Sequence, residues 1–307
     1  MRRRTAATAT ATAIAILLAA TGCSSAATPA SGGRIIAVGA ENQYTSVISQ
    51  IGGRYVEASS IMSNPNTDPH TFEASAQVAS TVSSARLVVQ NGLGYDSFMS
   101  KIEAASPSSS RVVITAQTVL GLPDSTRNPH LWYDPKTMPA VAKKIAASLS
   151  AIQPSHRAYF AANLASFERS MTKLTDALAA FASAHPGVTV ATTEPVADYL
   201  LEAAGTANLT PWSLQAAIMN DTDPAPQDVA IQQGLFTNHS VKVFLYNQQV
   251  TDAITSTYLK LAKANGIPVV GVYETMPTDG FSYQTWMEAE LSALSKAVTD
   301  GTSTAKL

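Results

Sequence analysis

The 307-residue sequence predicts an α/β protein of two lobes, each a parallel-type sheet flanked by helices, joined by one long spine helix. Three observations carry this. Short β-branched runs alternate with helical patterns over 34–152, a single unbroken apolar stripe from Phe160 to Phe181 marks one helix over 153–186, and the alternation resumes over 187–307. Strands that alternate with helices are connected by crossovers, which set neighbouring strands parallel. No repeat at the period of a solenoid or propeller is present.

The first element is a leader. Arg2, Arg3 and Arg4 precede an Ala/Thr/Ile/Leu run that closes in Leu17-Leu18-Ala19-Ala20-Thr21-Gly22-Cys23, and Cys23 is the single cysteine of the chain. A basic start, a short apolar run and small residues before the cut site form a secretory signal over 1–22, and the run is short for a membrane span. Cleavage before Cys23 would leave a thiol for a thioether-linked lipid, holding the chain at the outer face of a membrane. The Ser/Ala/Gly/Pro segment 23–33 reads as a tether. Beyond Cys23 there is no thiol for a disulfide or a thiolate metal site, so any metal must use His, Asp, Glu or water. Without the three leader arginines the 20 basic residues fall to 17 against 22 acidic ones, which gives nucleic acid no electrostatic footprint.

In the first lobe, 34–152, strands are expected at 34–38, 86–90 and 111–115, with a polar segment after the first strand and a helix around 44–51. The spine follows. Phe160, Leu164, Phe167, Met171, Leu174, Leu178 and Phe181 recur at alternating spacings of four and three, one stripe on one helix. Pro154 suits its first turn and Pro186-Gly187 stops it, giving roughly 45 Å of rod. A coiled-coil dimer seam is the competing explanation; three heptads bounded by prolines fit a spine within one chain, and a monomer is expected. In the second lobe, 187–307, strands are expected at 188–192, 241–246 and 268–272, helices at 195–204, 253–265 and 283–298, and a frayed tail after Asp300.

Ligands of open α/β sheets gather beyond the carboxyl ends of the strands. Four strand-to-helix loops there carry chemistry: 66–73 with His70 after Pro69, 128–135 with His130 after Pro129, 192–195 with Glu194, and 272–277 with Glu274. In the second loop Asp134 is placed to cap the following helix, with Pro135 in its first turn. A proline before each histidine fixes the backbone of a preformed site. Two imidazoles and two carboxylates, split between the lobes, make a divalent-metal site: imidazole suits zinc, copper, iron or nickel, and carboxylate suits harder ions such as manganese. Taken singly, each group has a plainer explanation, a loop histidine as a capping residue and a carboxylate as a partner of a helix N-terminus. His156, His185 and His239 read as structural.

The leader ending in Cys23, D-P-H-T-F-E at 68–73, N-P-H-L-W-Y-D-P at 128–135, T-E-P-V-A-D-Y at 193–199 and the spine together resemble the substrate-binding lipoproteins of zinc and manganese ABC importers. That resemblance implies His70 and His130 as metal ligands and Glu194 as the third. The family's fourth ligand is usually an aspartate after the last sheet strand, where this chain has Glu274. It also implies a zinc or manganese ion as cargo, delivery to a membrane permease, and a lipid-anchored place outside the cytoplasm through Cys23. The His-rich loop of zinc-specific relatives is absent from 117–128. No H-E-x-x-H, G-x-S-x-G, Walker or dinucleotide motif is present, so an enzyme is not expected. A zinc-dependent hydrolase and a surface adhesin built on the same fold remain as alternatives.

Overall fold

The computed structural model describes residues 33–64, 72, 74–277 and 280–307; Cys23 and His70 lie outside them. The first half runs β1 (Ile35–Glu41), α1 (Asn42–Gly52), β2 (Val56–Met62), α2 (Ala76–Ser84), β3 (Leu87–Gln90), α3 (Ser97–Ala105), β4 (Val112–Thr115), α4 (Ala116–Leu120) and α5 (Thr137–Ile152). A 3-10 turn, Pro154–His156, leads into α6 (Arg157–Ala184), 28 residues long. The second half runs β5 (Thr189–Thr192), α7 (Asp198–Ala203), β6 (Ala207–Asn208), α8 (Trp212–Met219), α9 (Pro226–Thr237), β7 (Val243–Asn247), α10 (Ala253–Ala264), β8 (Val269–Val272) and α11 (Tyr283–Asp300).

Both sheets are parallel and four-stranded, in the orders β2-β1-β3-β4 and β6-β5-β7-β8. The central strands β3 and β7 are buried along their whole length, as expected where helices cover both faces of a sheet. Helix α1 places Tyr44, Val47, Ile48 and Ile51 on one buried face at helical spacing and stops at Gly53, whose positive φ of 49° a side chain would resist. Each sheet has its own outer core, Val38, Val88 and Met99 under the first and Phe236, Phe244 and Tyr258 under the second. The inner core is shared. It runs from Ile48 and Trp132 through the α6 stripe to Val243 and Trp286.

Six residues of the stripe, Phe160, Phe167, Met171, Leu174, Leu178 and Phe181, are buried, and Leu164 is partly so. They pack against α1, α5, α7 and α11 of the same chain, so the stripe is a spine and not a dimer seam. Hydrogen bonds stitch the halves together beside it. Asn42 and Met276 exchange a pair at 3.1 and 2.9 Å, the Tyr283 hydroxyl donates to Trp132 O at 2.6 Å, and Gln50 exchanges bonds with Gln284 at 3.0 and 2.9 Å.

Several details differ from what the sequence predicts. Strand β2 was not anticipated, because Glu57, Ser59 and Ser60 break its apolar pattern; it is an edge strand and only half buried. Asp134 does not cap α5: its carboxylate accepts from Lys136 N at 2.9 Å inside the preceding turn, and the helix begins at Thr137. Helix α7 starts at Asp198, with a turn over 194–197, so Glu194 stands outside it. The tail is not frayed. Thr304 bridges to Val270, Gly271 N donates to Thr304 O at 2.9 Å, and Leu307 N donates to the Tyr273 hydroxyl at 3.2 Å. Strand β8 ends its sheet with unpaired backbone groups, and Gly271, with no side chain, lets the tail approach them.

Candidate metal centre

The carboxyl ends of β5, β7 and β8 meet the loop 128–133 in a buried junction between the sheets. His130 is fully buried there at the head of a 3-10 turn, Leu131–Tyr133. Asn128 sets its tautomer. The Asn128 amide nitrogen donates to Pro195 O at 2.8 Å, so its oxygen is the acceptor for His130 N at 3.0 Å and for His130 Nδ1 at 2.8 Å. With the proton on Nδ1, the lone pair is on Nε2, which faces Glu274 Oε2 at 3.4 Å. The Tyr199 hydroxyl holds the Asn128 carbonyl from the other half at 3.0 Å. The histidine is thus oriented by both halves of the chain.

Glu194 and Glu274 are 2% and 0% exposed. Asn247, the last residue of β7, joins them: its amide nitrogen donates to Glu194 Oε2 at 2.6 Å and to Glu274 Oε1 at 2.8 Å. Its oxygen accepts from Gln249 N at 3.0 Å, which fixes the orientation of the amide. Tyr95 donates to Glu274 Oε2 at 3.0 Å, and burial, with the charge of Glu274 second, pushes that phenol well above its ordinary range, so it stays a donor. Gln43 donates to Glu274 O at 3.1 Å, and Gln249 accepts from Glu274 N.

Tyr95 owes its place to the loop 91–96, in which Gly92, Leu93 and Gly94 all take positive φ. Asp96 closes the loop by accepting from Asn91 N and from Gly92 N, the latter at 2.9 Å. Burial raises the Asp96 carboxyl to about 6, against the opposing pull of those two backbone donors. Asn91 accepts from the Tyr44 hydroxyl at 2.7 Å and donates to Pro129 O at 2.8 Å, tying the proline before His130 to the end of β3.

Three of the four residues singled out in the sequence therefore come together, and His70 lies outside the described residues. Among the described residues no three His, Cys, Asp or Glu side chains form a metal cage by themselves. His130 and Glu274 are one pair, and Glu194 is linked to it through Asn247. Asn247, at a strand end, and Tyr95, in a loop, carry no local signal, because neutral polar residues are ordinary in both places. A hollow of about 400 Å³ opens beside Tyr95 and Pro129, walled by Arg127 and Trp212. A larger groove of about 630 Å³, lined by Asn42, Ser46 and Met276, contains none of His130, Glu194 and Glu274. The other histidines lie elsewhere: His156 stacks on Tyr55 with ring centroids 3.6 Å apart, His185 follows α6 against Phe181, and His239 takes a φ of 51° after α9.

The family described as ZnuA, zinc-uptake complex component A, periplasmic, matches residues 38–297. The zinc-binding protein TroA of Treponema pallidum is 26% identical over 115 residues, 36% of this chain and 37% of that protein, so this alignment spans about a third of the relative. A solved structure of the periplasmic zinc-binding protein TroA superposes with a TM-score of 0.74 at 17% identity, covering 87% of this chain and 99% of that one. FpvC of P. aeruginosa, solved in complex with Ni2+, gives 0.71 at 21% identity over 88% and 99%. A mutant of the laminin-binding adhesin Lmb of Streptococcus agalactiae gives 0.72 at 20% over 87% and 100%. At these identities the structural likenesses show the fold.

Proposed function

Because the chain belongs to the ZnuA family of periplasmic zinc-uptake components, we propose that it captures a divalent transition-metal ion outside the cytoplasm and hands it to the permease of an ABC importer. Membership in a solute-binding family sets the hydrolase reading aside. The observation that carries the proposal is His130, its tautomer fixed by Asn128, with Nε2 turned toward Glu274 in a junction where burial has removed water. His70, His130, Glu194 and Glu274 hold the ion. Two nitrogens and two carboxylates give zinc a tetrahedral shell, or manganese a larger one when a carboxylate binds through both oxygens. Zinc is expected to bind more tightly than manganese in vitro whichever is the cargo. A lipid on Cys23 anchors the chain to the outer face of the membrane. A second reading, surface adhesion, is the role named for one protein of the same fold, the laminin-binding adhesin.

Protein loaded with zinc or manganese and then desalted should retain close to one equivalent by elemental analysis; less than about a tenth of an equivalent rejects the proposal. Cellular metal content of a deletion strain starved separately of zinc and of manganese identifies the cargo, and a deficit in neither favours adhesion. The shared inner core and the cross-bonds between halves make wide hinge closure costly, so loading should act through small shifts and local loop rearrangement. Scattering curves of empty and loaded protein are expected to overlay, and a contraction of several ångströms in radius of gyration would contradict this.

A further inference from the structure

The orders β2-β1-β3-β4 and β6-β5-β7-β8 place the reversal of winding between β1 and β3 in one sheet and between β5 and β7 in the other. Ligands of open parallel sheets collect at such reversals. The second half fills its reversal with Glu194, just after β5, and Asn247, which ends β7. The first half fills its own with Glu41, which ends β1, and Asn91, which follows β3. Asn91 already has its work in holding Pro129. Glu41 is unaccounted for.

It is 0% exposed, and neither carboxylate oxygen has a hydrogen-bond partner among the described residues. It does not cap α1, whose N-cap position it occupies without a side-chain bond. The next two residues pin it beside the centre, since Asn42 bonds Met276 and Gln43 bonds Glu274 O. Among the described residues its charged neighbours are Asp96 and Glu274, both acidic, and burial first, then those two, raises its pKa well above the usual carboxylate range. The phenols of Tyr44 and Tyr95 also lie within its field. An unpaired acid surrounded by acids and phenols is a poor structural element, because nothing repays its loss of water. A cation in the centre would.

We propose that Glu41 is a further cation-binding carboxylate of this centre, holding in the first sheet the place that Glu194 holds in the second, and that it tilts the site toward ions that prefer oxygen. This rests on the metal-binding reading. Zinc is satisfied by four donors, whereas manganese takes a larger, oxygen-rich shell, so the loss of one carboxylate should fall mainly on manganese.

The test is competition titration of Mn2+ and Zn2+ against a chelating dye, with wild type, Glu41→Gln and Glu41→Asp. Glu41→Gln is expected to lose about tenfold or more in manganese affinity and no more than about threefold in zinc affinity. Glu41→Asp, which keeps the charge, should stay within about threefold of wild type for both ions. Unchanged affinities in Glu41→Gln, equal losses for the two ions, or a loss in Glu41→Asp as large as in Glu41→Gln would overturn the inference. So would a wild type that binds zinc and no measurable manganese. A wild type that binds neither ion instead brings down the metal-binding reading itself.

Discussion

Replacing His130 by alanine is expected to weaken divalent-metal binding by roughly a hundredfold or more, about 2.7 kcal/mol, because loss of even a group that orients a metal-binding histidine costs ten- to a hundredfold. His70→Ala should do the same. His156→Ala, His185→Ala and His239→Ala should each stay within about threefold, since none of these rings reaches the centre. Asn128→Leu supplies the graded case: it keeps the side-chain volume and removes the oxygen that fixes the His130 tautomer, and should fall between the two groups. Titration with zinc distinguishes these outcomes. Equal losses across all five histidines would show that the centre is misplaced.

The second large effect concerns stability. Glu290 is 2% exposed on α11, and its Oε1 accepts from the Tyr133 hydroxyl at 2.7 Å and from Trp286 Nε1 at 2.8 Å. Burial raises its pKa to about 8, against the lowering effect of those two donors. The sign follows from proton counts. Between the unfolded value near 4.5 and about 8 the folded chain keeps the proton and the unfolded chain has lost it, so stability falls as pH rises. The slope is on the order of 1.4 kcal/mol per pH unit, several kcal/mol across the window. Glu290→Gln is isosteric with the protonated acid. It is expected to match wild type near pH 4.5, to flatten this part of the slope, and to be the more stable protein at pH 8. Urea unfolding at both pH values checks it, and parallel pH profiles for the two proteins would reject it.

The sequence made the spine plain because one periodicity ran unbroken for 22 residues, from Phe160 to Phe181. The central strands were equally plain, being buried on both faces and written in Val, Ile and Leu. Edges were harder. Strand β2 carries serines, and β6 has only two residues, Ala207 and Asn208, too few for any pattern. The tail was invisible because its partner is a strand edge that only folding creates. His130, Glu194 and Glu274 could be singled out, since each stands in a strand-to-helix loop with a residue type suited to metals. Asn247 and Tyr95 could not, because their role is to meet carboxylates distant in sequence. Glu41 reads as part of a polar segment after the first strand; nothing local shows that a carboxylate there will be buried.

The shared inner core carries a consequence for communication. A carrier built on hinged lobes reports its state by its outline, since open and closed forms present different surfaces to a docking partner. Here the α6 stripe binds both halves into one core, so the outline is expected to be the same with or without cargo. A permease would then tell full from empty by quieter signs: the net charge at the junction, which a divalent ion makes less negative by up to two, less the protons it displaces, and the order of the few loops that touch it. Mutations at the rim that alter charge should therefore confuse loading signals without changing how tightly the ion is held.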